Sequence, residues 1–430
     1  MPTKTLLCVI EFERFVLDNG LKVLHHYDAS TPMVAINVLY AIGSRYEDPN
    51  HTGFAHLFEH LMFGGSINIP RYDEPLEKAG GENNAFTSND MTSYYLTVPA
   101  GNAEIGFWLE SDRMLGLAFS EKSLQVQRKV VVEEFKQRYL NNPYGDVWLL
   151  LRSLAYKKHP YRWPTIGSKV EHIEQATMDQ VKAFFNNYYH PANAILAIGG
   201  NISLALAKEL TLKWFGSVPS RPVLRQQLPI EPVQQACRTL TVERDVPYDA
   251  IYMAWHMCER LHPDYYAFDL LSDYLSGGNS SRFYVNLVQQ QQLFSEIQAY
   301  ISGEHDPGLF VISAKLAATT TMEVAEKAIM HELDLVKTNK VEENELVKLK
   351  NKAESLYLFS EMNVLNKTML LAQMELLGDA GMVNSELNKY QSVTADDVQR
   401  VAQQTLLPSN LSVLYYHTKG KILPALQPLV

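Results

Sequence analysis

Two histidines and a glutamate stand close together in the segment His56-Leu-Phe-Glu-His60. The apolar spacing from Phe54 to Phe63 predicts a helix, which Gly64-Gly65 ends. On such a helix His56 and His60 lie one turn apart on one face, with Glu59 beside them. Two imidazoles at this spacing can bind one Zn²⁺ while the neighbouring carboxylate activates a water molecule. The alternative is a helix that carries two histidines on a half-exposed face and binds no metal.

A third protein ligand must come from elsewhere, because a catalytic zinc takes three protein ligands and leaves one position for water. The segment Val130-Val-Val-Glu-Glu134 offers two carboxylates on a second predicted helix, which runs from Glu121 to Leu140. Glu133 and Glu134 differ by about 100° around that helix. Only one of them can face the metal, and the residues alone leave the choice open.

Composition excludes several other classes of protein. The chain has 430 residues, of which 46% are hydrophobic and 20% charged, as in ordinary globular proteins. Its net charge of −10 argues against a nucleic-acid partner, which would require a basic face. The three cysteines show no zinc-ribbon spacing. No stretch is long and apolar enough for a signal peptide or a membrane span. We expect a cytoplasmic protein, or a periplasmic one if a leader has been removed.

An internal repeat predicts the architecture. Thr177-x-Asp-x-Val and Thr394-x-Asp-x-Val, each followed by a Pro-x-Asn turn and an apolar strand, are offset by 217 residues. Hairpin signals such as Asn19-Gly20 interleave with helices, so the predicted class is α+β with two similar domains, each an antiparallel sheet flanked by helices. The predicted boundaries are 1–217 for a zinc-binding domain, 218–236 for a linker and 237–430 for its homologue.

The sequence resembles the pitrilysin family of zinc peptidases, which includes insulin-degrading enzyme and the mitochondrial processing peptidase. The matching segments cover nearly the whole chain: Gly43-Ser-Arg45 with Glu47, Gly53 to Phe63, Gly80 to Thr87, Arg128 to Glu134, His159 to Gly167 and Leu275 to Arg282. The resemblance implies that His56, His60 and Glu134 bind zinc and that Glu59 is the general base. It selects Glu134 because the third ligand follows an arginine like Arg128 by six residues, which leaves Glu133 as a solvated helix residue.

Two further groups of residues follow from the same resemblance. Asn84, Ala85 and Phe86 correspond to a strand edge that binds the substrate backbone by strand addition. An ordinary turn-to-strand junction after Gly80-Gly81 would explain them equally well. Gln127 stands where relatives often have a glutamate, and we expect it to hydrogen-bond a ligand histidine without adding charge.

The second half departs from the family pattern. Its positions equivalent to His56, Glu59 and His60 are Asp269, Ser272 and Asp273, so it carries no second copy of the zinc motif. Val288 and Ser295 stand where active relatives place an Arg and a Tyr that contact substrate. Unless the alignment is slipped, another chain must supply that pair. We therefore expect a dimer, and specifically a heterodimer with a relative that carries the Arg and the Tyr.

The function that the resemblance implies is a zinc metalloendopeptidase that hydrolyses unfolded or short peptides in a clamshell chamber. One alternative is a non-catalytic core or scaffold subunit of the same fold, although the intact ligand set argues against it. Another is a structural zinc module without turnover. Glu59 beside the histidines disfavours that, since a structural site normally closes with a fourth ligand.

Overall fold

A computed structural model describes residues 9–224 and 226–420. Within these ranges the strands are β1 (Glu13–Val16), β2 (Lys22–Tyr27), β3 (Met33–Tyr40), β4 (Glu82–Thr87), β5 (Thr92–Pro99), β6 (Ala194–Gly200), β7 (Arg238–Arg244), β8 (Ala250–His256), β9 (Phe294–Ile301), β10 (Leu309–Leu316) and β11 (Leu411–Thr418).

The α-helices in the same ranges are α1 (Phe54–Leu61), α2 (Asp73–Lys78), α3 (Ala103–Leu115), α4 (Glu121–Phe135), α5 (Val147–Ala155), α6 (Val170–Glu174), α7 (Met178–Tyr188), α8 (Leu204–Phe215), α9 (Tyr265–Ser276), α10 (Met322–Thr338), α11 (Glu343–Ser360), α12 (Val364–Leu377), α13 (Glu386–Ser392) and α14 (Ala395–Thr405). None of the helices in this described part is long and apolar enough to cross a membrane.

Among the described residues, the first compact unit comprises 9–137, 159–224, 226–230 and 353–388. Its six-stranded sheet has the order β1-β2-β6-β3-β5-β4, in which only the β2–β6 pair is parallel. Helices α1 and α3 pack on the face that carries Ile36 and Tyr94. Helix α12 covers the opposite face, where Leu371 and Ala372 join a buried core with strand residues such as Leu39. The sheet is therefore buried on both faces.

Among the described residues, the second compact unit comprises 138–158, 231–352 and 389–420. Its five-stranded sheet has the order β7-β11-β8-β10-β9, and β7–β11 is its parallel pair. This order repeats β2-β6-β3-β5-β4 of the first unit strand for strand. Helices α5 and α9 pack on this sheet, and α14 packs on α9.

The repeat predicted from sequence is present in detail. Thr177 and Thr394 each begin a helix with a capping box, in which the threonine side chain and the third helical residue satisfy each other's backbone N–H groups. The Pro191–Asn193 and Pro408–Asn410 turns then lead into the central strands β6 and β11. The predicted α+β class with two related domains is confirmed, with one parallel pair in each otherwise antiparallel sheet.

The compact units differ from the continuous halves predicted at 1–217 and 237–430. The chain passes between units at Ile230 and Glu231, inside the predicted linker, but two further segments are exchanged. Helix α5 of the first half packs on the second sheet, and α12 of the second half packs on the first. Val147 and Val364, which begin these helices, are offset by the same 217 residues as the repeat. The exchange is therefore a symmetric property of the duplication.

Candidate metal centre

Helix α1 presents two histidines on one face. His56 is buried and His60 is partly exposed, and their rings meet edge to face with centroids 4.9 Å apart. The helix begins after Gly53, whose φ of +93° favours glycine. A Cβ at Gly53 would lie 2.5 Å from the carbonyl oxygen of Ile166. The backbone before the helix is thus fixed by close packing.

Helix α4 brings Glu134 to these histidines. Ser120 caps this helix by accepting the N–H of Ser123. Oε2 of Glu134 lies 3.6 Å from Nε2 of His56 and 3.3 Å from Nε2 of His60. All three ligand atoms lie within 4.8 Å of one another. Ligands bound about 2.1 Å from a tetrahedral zinc are about 3.4 Å apart, so this donor set fits one zinc ion.

Glu133 faces a different direction from Glu134. Its side chain is 64% exposed and pairs with Lys136 at 2.8 Å on the same helix. Within residues 9–224 and 226–420, the one group of histidine, cysteine or acidic side chains arranged to hold a metal is His56, His60 and Glu134. The structure therefore places Glu133 in solvent, as expected, and leaves Glu59 outside the ligand group.

Glu59 accepts a hydrogen bond from a residue of the first sheet. Oγ1 of Thr87, the last residue of β4, donates a hydrogen bond of 2.6 Å to Oε2 of Glu59. This role of Thr87 was not predicted from the sequence. Strand alternation could have suggested it, because Ala85 and Thr87 share one face of β4, and Ala85 is buried there.

The three residues expected to bind substrate lie on an edge strand. Asn84, Ala85 and Phe86 belong to β4, which ends the first sheet and pairs with β5. The side chain of Asn84 accepts the N–H of Ala85, and Phe86 lies near Tyr95 with ring centroids 6.4 Å apart. The placement is that of a strand that could accept another strand at its outer edge. Their binding role stays a prediction.

Comparison with known proteins gives the family. Residues 22–169 match the model for insulinase, peptidase family M16, and residues 175–353 match the model for the peptidase M16 inactive domain. The chain belongs to the pitrilysin family of zinc peptidases. The zinc protease PqqE of Helicobacter pylori is 28% identical, over 91% of this chain and 89% of its own length. The uncharacterised zinc protease YmxG of Bacillus subtilis is 26% identical, over 91% and 95%.

Solved structures agree with this assignment. A protease from Helicobacter pylori superposes with a TM-score of 0.89 at 27% identity, covering 95% of this chain and 100% of the other. A peptidase M16 inactive domain from Pseudomonas fluorescens has a TM-score of 0.86 at 20% identity, covering 98% and 100%. This second similarity supports the assignment of the fold alone.

In the second half of this pitrilysin-family chain, the positions predicted to correspond to the two histidines make other contacts. Asp273 binds Nζ of Lys352 at 2.8 Å, and Asp269 accepts a hydrogen bond of 2.5 Å from the hydroxyl of Tyr390. These two aspartates are the predicted counterparts of His60 and His56. In the second half, these two positions thus carry carboxylates that contact an ammonium and a phenol.

The structure also shows where the remaining residues singled out from the sequence lie. Gln127 lies two turns before Glu134 on α4 and is half-buried, and its hydrogen bond to a ligand histidine stays a prediction. Val288 is half-buried in a π-helical segment, Phe283–Gln290. Ser295, near the start of β9, is exposed and donates a hydrogen bond of 3.3 Å to the carbonyl oxygen of Lys315. Neither side chain offers the guanidinium or the phenol that the family resemblance leads us to expect at these positions.

Proposed function

We propose that this chain is the zinc-bearing subunit of a metalloendopeptidase that hydrolyses unfolded or short peptides. The observation that carries the proposal is the convergence of His56, His60 and Glu134 within 4.8 Å, with Glu59 outside the ligand group. A site with three protein ligands keeps one position open, whereas a structural zinc site normally uses four. A zinc ion held there supplies Lewis-acid activation of water and of the scissile carbonyl.

The chain's own residues carry the proton and hold the substrate. Glu59 accepts the proton of the attacking water and returns it to the leaving amine. The hydrogen bond from Thr87 to Oε2 of Glu59 fixes the orientation of the carboxylate for that exchange. The peptide backbone adds to the outer edge of β4 at Asn84, Ala85 and Phe86, which aligns it with the end of the strand where Thr87 meets Glu59.

A partner chain completes the site in this proposal. Val288 cannot donate a hydrogen bond to a peptide carbonyl from its side chain, and the Ser295 hydroxyl is short and bound to a backbone carbonyl. Loss of one donor that stabilises the transition state lowers the rate by about 10²–10³-fold. We therefore propose a heterodimer, in which a related two-domain chain contributes an Arg and a Tyr and need not bind zinc.

Zinc analysis and a quenched fluorescent peptide, applied to the chain alone and with such a relative, test this proposal. We expect one zinc per copy of this chain in both samples and a rate at least about 10²-fold higher in the mixed sample. Variants of the relative without its Arg or Tyr should abolish the gain. Full activity of the isolated chain would refute the heterodimer but keep the peptidase. Bound zinc with no turnover in either sample would favour a non-catalytic subunit of this fold.

A further inference from the structure

Glu47 reaches the start of the zinc-site helix from a separate loop. Helix α1 has no side-chain cap of its own, because Gly53 occupies the position before it. Oε2 of Glu47 accepts the N–H of Gly53 and Oε1 accepts the N–H of Ala55, each at 2.8 Å. The Glu47 side chain thus uses both oxygens on the first turn of α1, and Ala55 directly precedes His56.

The same loop is bound to the turn that follows β4. The N–H of Ser44 donates to the carbonyl of Ser88 at 3.2 Å, and that of Arg45 donates to the carbonyl of Asn89 at 2.9 Å. The Arg45 guanidinium also pairs with Asp90 at 2.9 Å. A Cβ at Gly43 would lie 2.4 Å from the backbone of Asn89, so the contact requires glycine.

The loop from Gly43 to Glu47 therefore joins two elements whose side chains meet in the site. One of these is α1, which carries Glu59, and the other is the end of β4, where Thr87 directly precedes Ser88. A shift of α1 against this turn would stretch the 2.6 Å hydrogen bond between Thr87 and Glu59. Small displacements of this kind have large effects on rate, about 10²-fold for 1 Å.

We propose that Glu47 is a positioning residue that sets the placement of α1 against the end of β4, and with it the geometry of Glu59 and of the metal ligands. This inference rests on the proposed peptidase function. Glu47 contacts neither substrate nor metal ligand in this role. It acts through the backbone of Gly53 and Ala55.

The surroundings of Glu47 indicate that its side chain does more than fill space or interact with solvent. The side chain is buried, with 6% of its surface exposed. Burial raises the pKa of Glu47 to about 8, and the backbone hydrogen bonds from Ala55 and Gly53 offset only part of that effect. Acidic groups with strongly perturbed pKa values are concentrated at functional sites.

Glu47→Gln tests the proposal. Both oxygens of a carboxyl can accept hydrogen bonds from the N–H groups of Gly53 and Ala55. An amide has one oxygen, so its NH₂ group would face one of these two N–H donors and that hydrogen bond would be lost. Glu375→Gln is the matched control. Glu375 is also buried at 6% exposure in the first unit, and it accepts the N–H of Ala380 and pairs with Arg14. It lies on α12, across the sheet from α1.

We expect Glu47→Gln to lower kcat at least about 10-fold with KM within about 2-fold, and Glu375→Gln to leave both unchanged. In metal-free protein, amide hydrogen exchange at residues 53–55 should accelerate at least about 10-fold in Glu47→Gln alone. An unchanged kcat or unchanged exchange in Glu47→Gln, or an equal loss of kcat in Glu375→Gln, would overturn the role. If the wild-type enzyme cleaves no peptide, the proposed function fails. The exchange rates, with zinc affinity measured against a chelator, then still decide whether Glu47 positions α1.

Discussion

Thr87 donates a 2.6 Å hydrogen bond to Glu59, and this bond joins the edge strand of the first sheet to the helix that carries two of the proposed metal ligands. The strand is the surface on which we place the peptide backbone, and the helix carries the group that we propose as its general base. In this proposal, substrate position and base orientation are coupled through one hydroxyl.

Removal of that hydroxyl should reduce turnover while the metal stays bound. Thr87→Val keeps the side-chain shape and deletes the donor. A hydrogen bond to a charged group contributes about 1.5–3 kcal/mol, so we expect kcat to fall about 10-fold to 100-fold. Thr87→Ser retains the donor and should stay within about 3-fold of the wild type. Steady-state kinetics on one peptide test this prediction. Equal kcat values for the valine and serine variants would show that this hydrogen bond does not contribute to turnover.

The ligand set can be tested by metal content alone. His56→Ala, His60→Ala and Glu134→Ala should each reduce bound zinc well below one ion per chain, because each removes one of three protein ligands. Glu133→Ala is the control, since that carboxylate is exposed and paired with Lys136. Zinc is measured by elemental analysis after dialysis. Retention of zinc by Glu134→Ala, with loss in Glu133→Ala, would reverse the assignment.

The exchanged helix α12 should contribute a pH-dependent stability. Lys367 on α12 is hydrogen-bonded to Asp28 after β2, and this contact holds the pKa of Asp28 well below its usual range. A carboxyl with a lowered pKa stabilises the fold above its unfolded pKa of about 4, and the contribution disappears as pH falls through the folded value.

Lys367→Met should therefore lower the free energy of unfolding by about 1–3 kcal/mol at pH 7, with a smaller loss at pH 3. Lys327→Met is the control, because that lysine forms an exposed pair with Glu323. It should cost less than about 1 kcal/mol at pH 7. Urea unfolding at both pH values gives the comparison. A loss in Lys367→Met that is the same at both pH values would contradict the proposed linkage.

Local patterns predicted much of this molecule. The two threonine-capped helices, the turns at Pro191 and Pro408 and the strands after them could be found because each depends on neighbouring residues. The spacing of His56 and His60 on α1 is local in the same way. The approach of Glu134 came from the family resemblance, because nothing in a helix's own sequence specifies which distant helix it will face.

The features that the sequence did not predict depend on contacts between distant segments. An amphipathic helix needs an apolar partner, but its periodicity does not say which sheet supplies it, so the exchange of α5 and α12 was missed. The predicted helix from Glu121 to Leu140 ends as an α-helix at Phe135 and continues as a π-helical segment, Lys136–Leu140. The roles of Thr87 and Glu47 likewise depend on how β4 and the loop before α1 pack together.

The most direct test of the central claim is peptide hydrolysis by Glu59→Gln at matched zinc content, in the presence of the partner chain if one is required. The substitution removes the base and leaves His56, His60 and Glu134 in place, so we expect one zinc per chain and an unchanged fold. The rate should fall about 10²–10⁴-fold, as for loss of a general base. Near-native hydrolysis by this variant at full zinc occupancy would contradict the account.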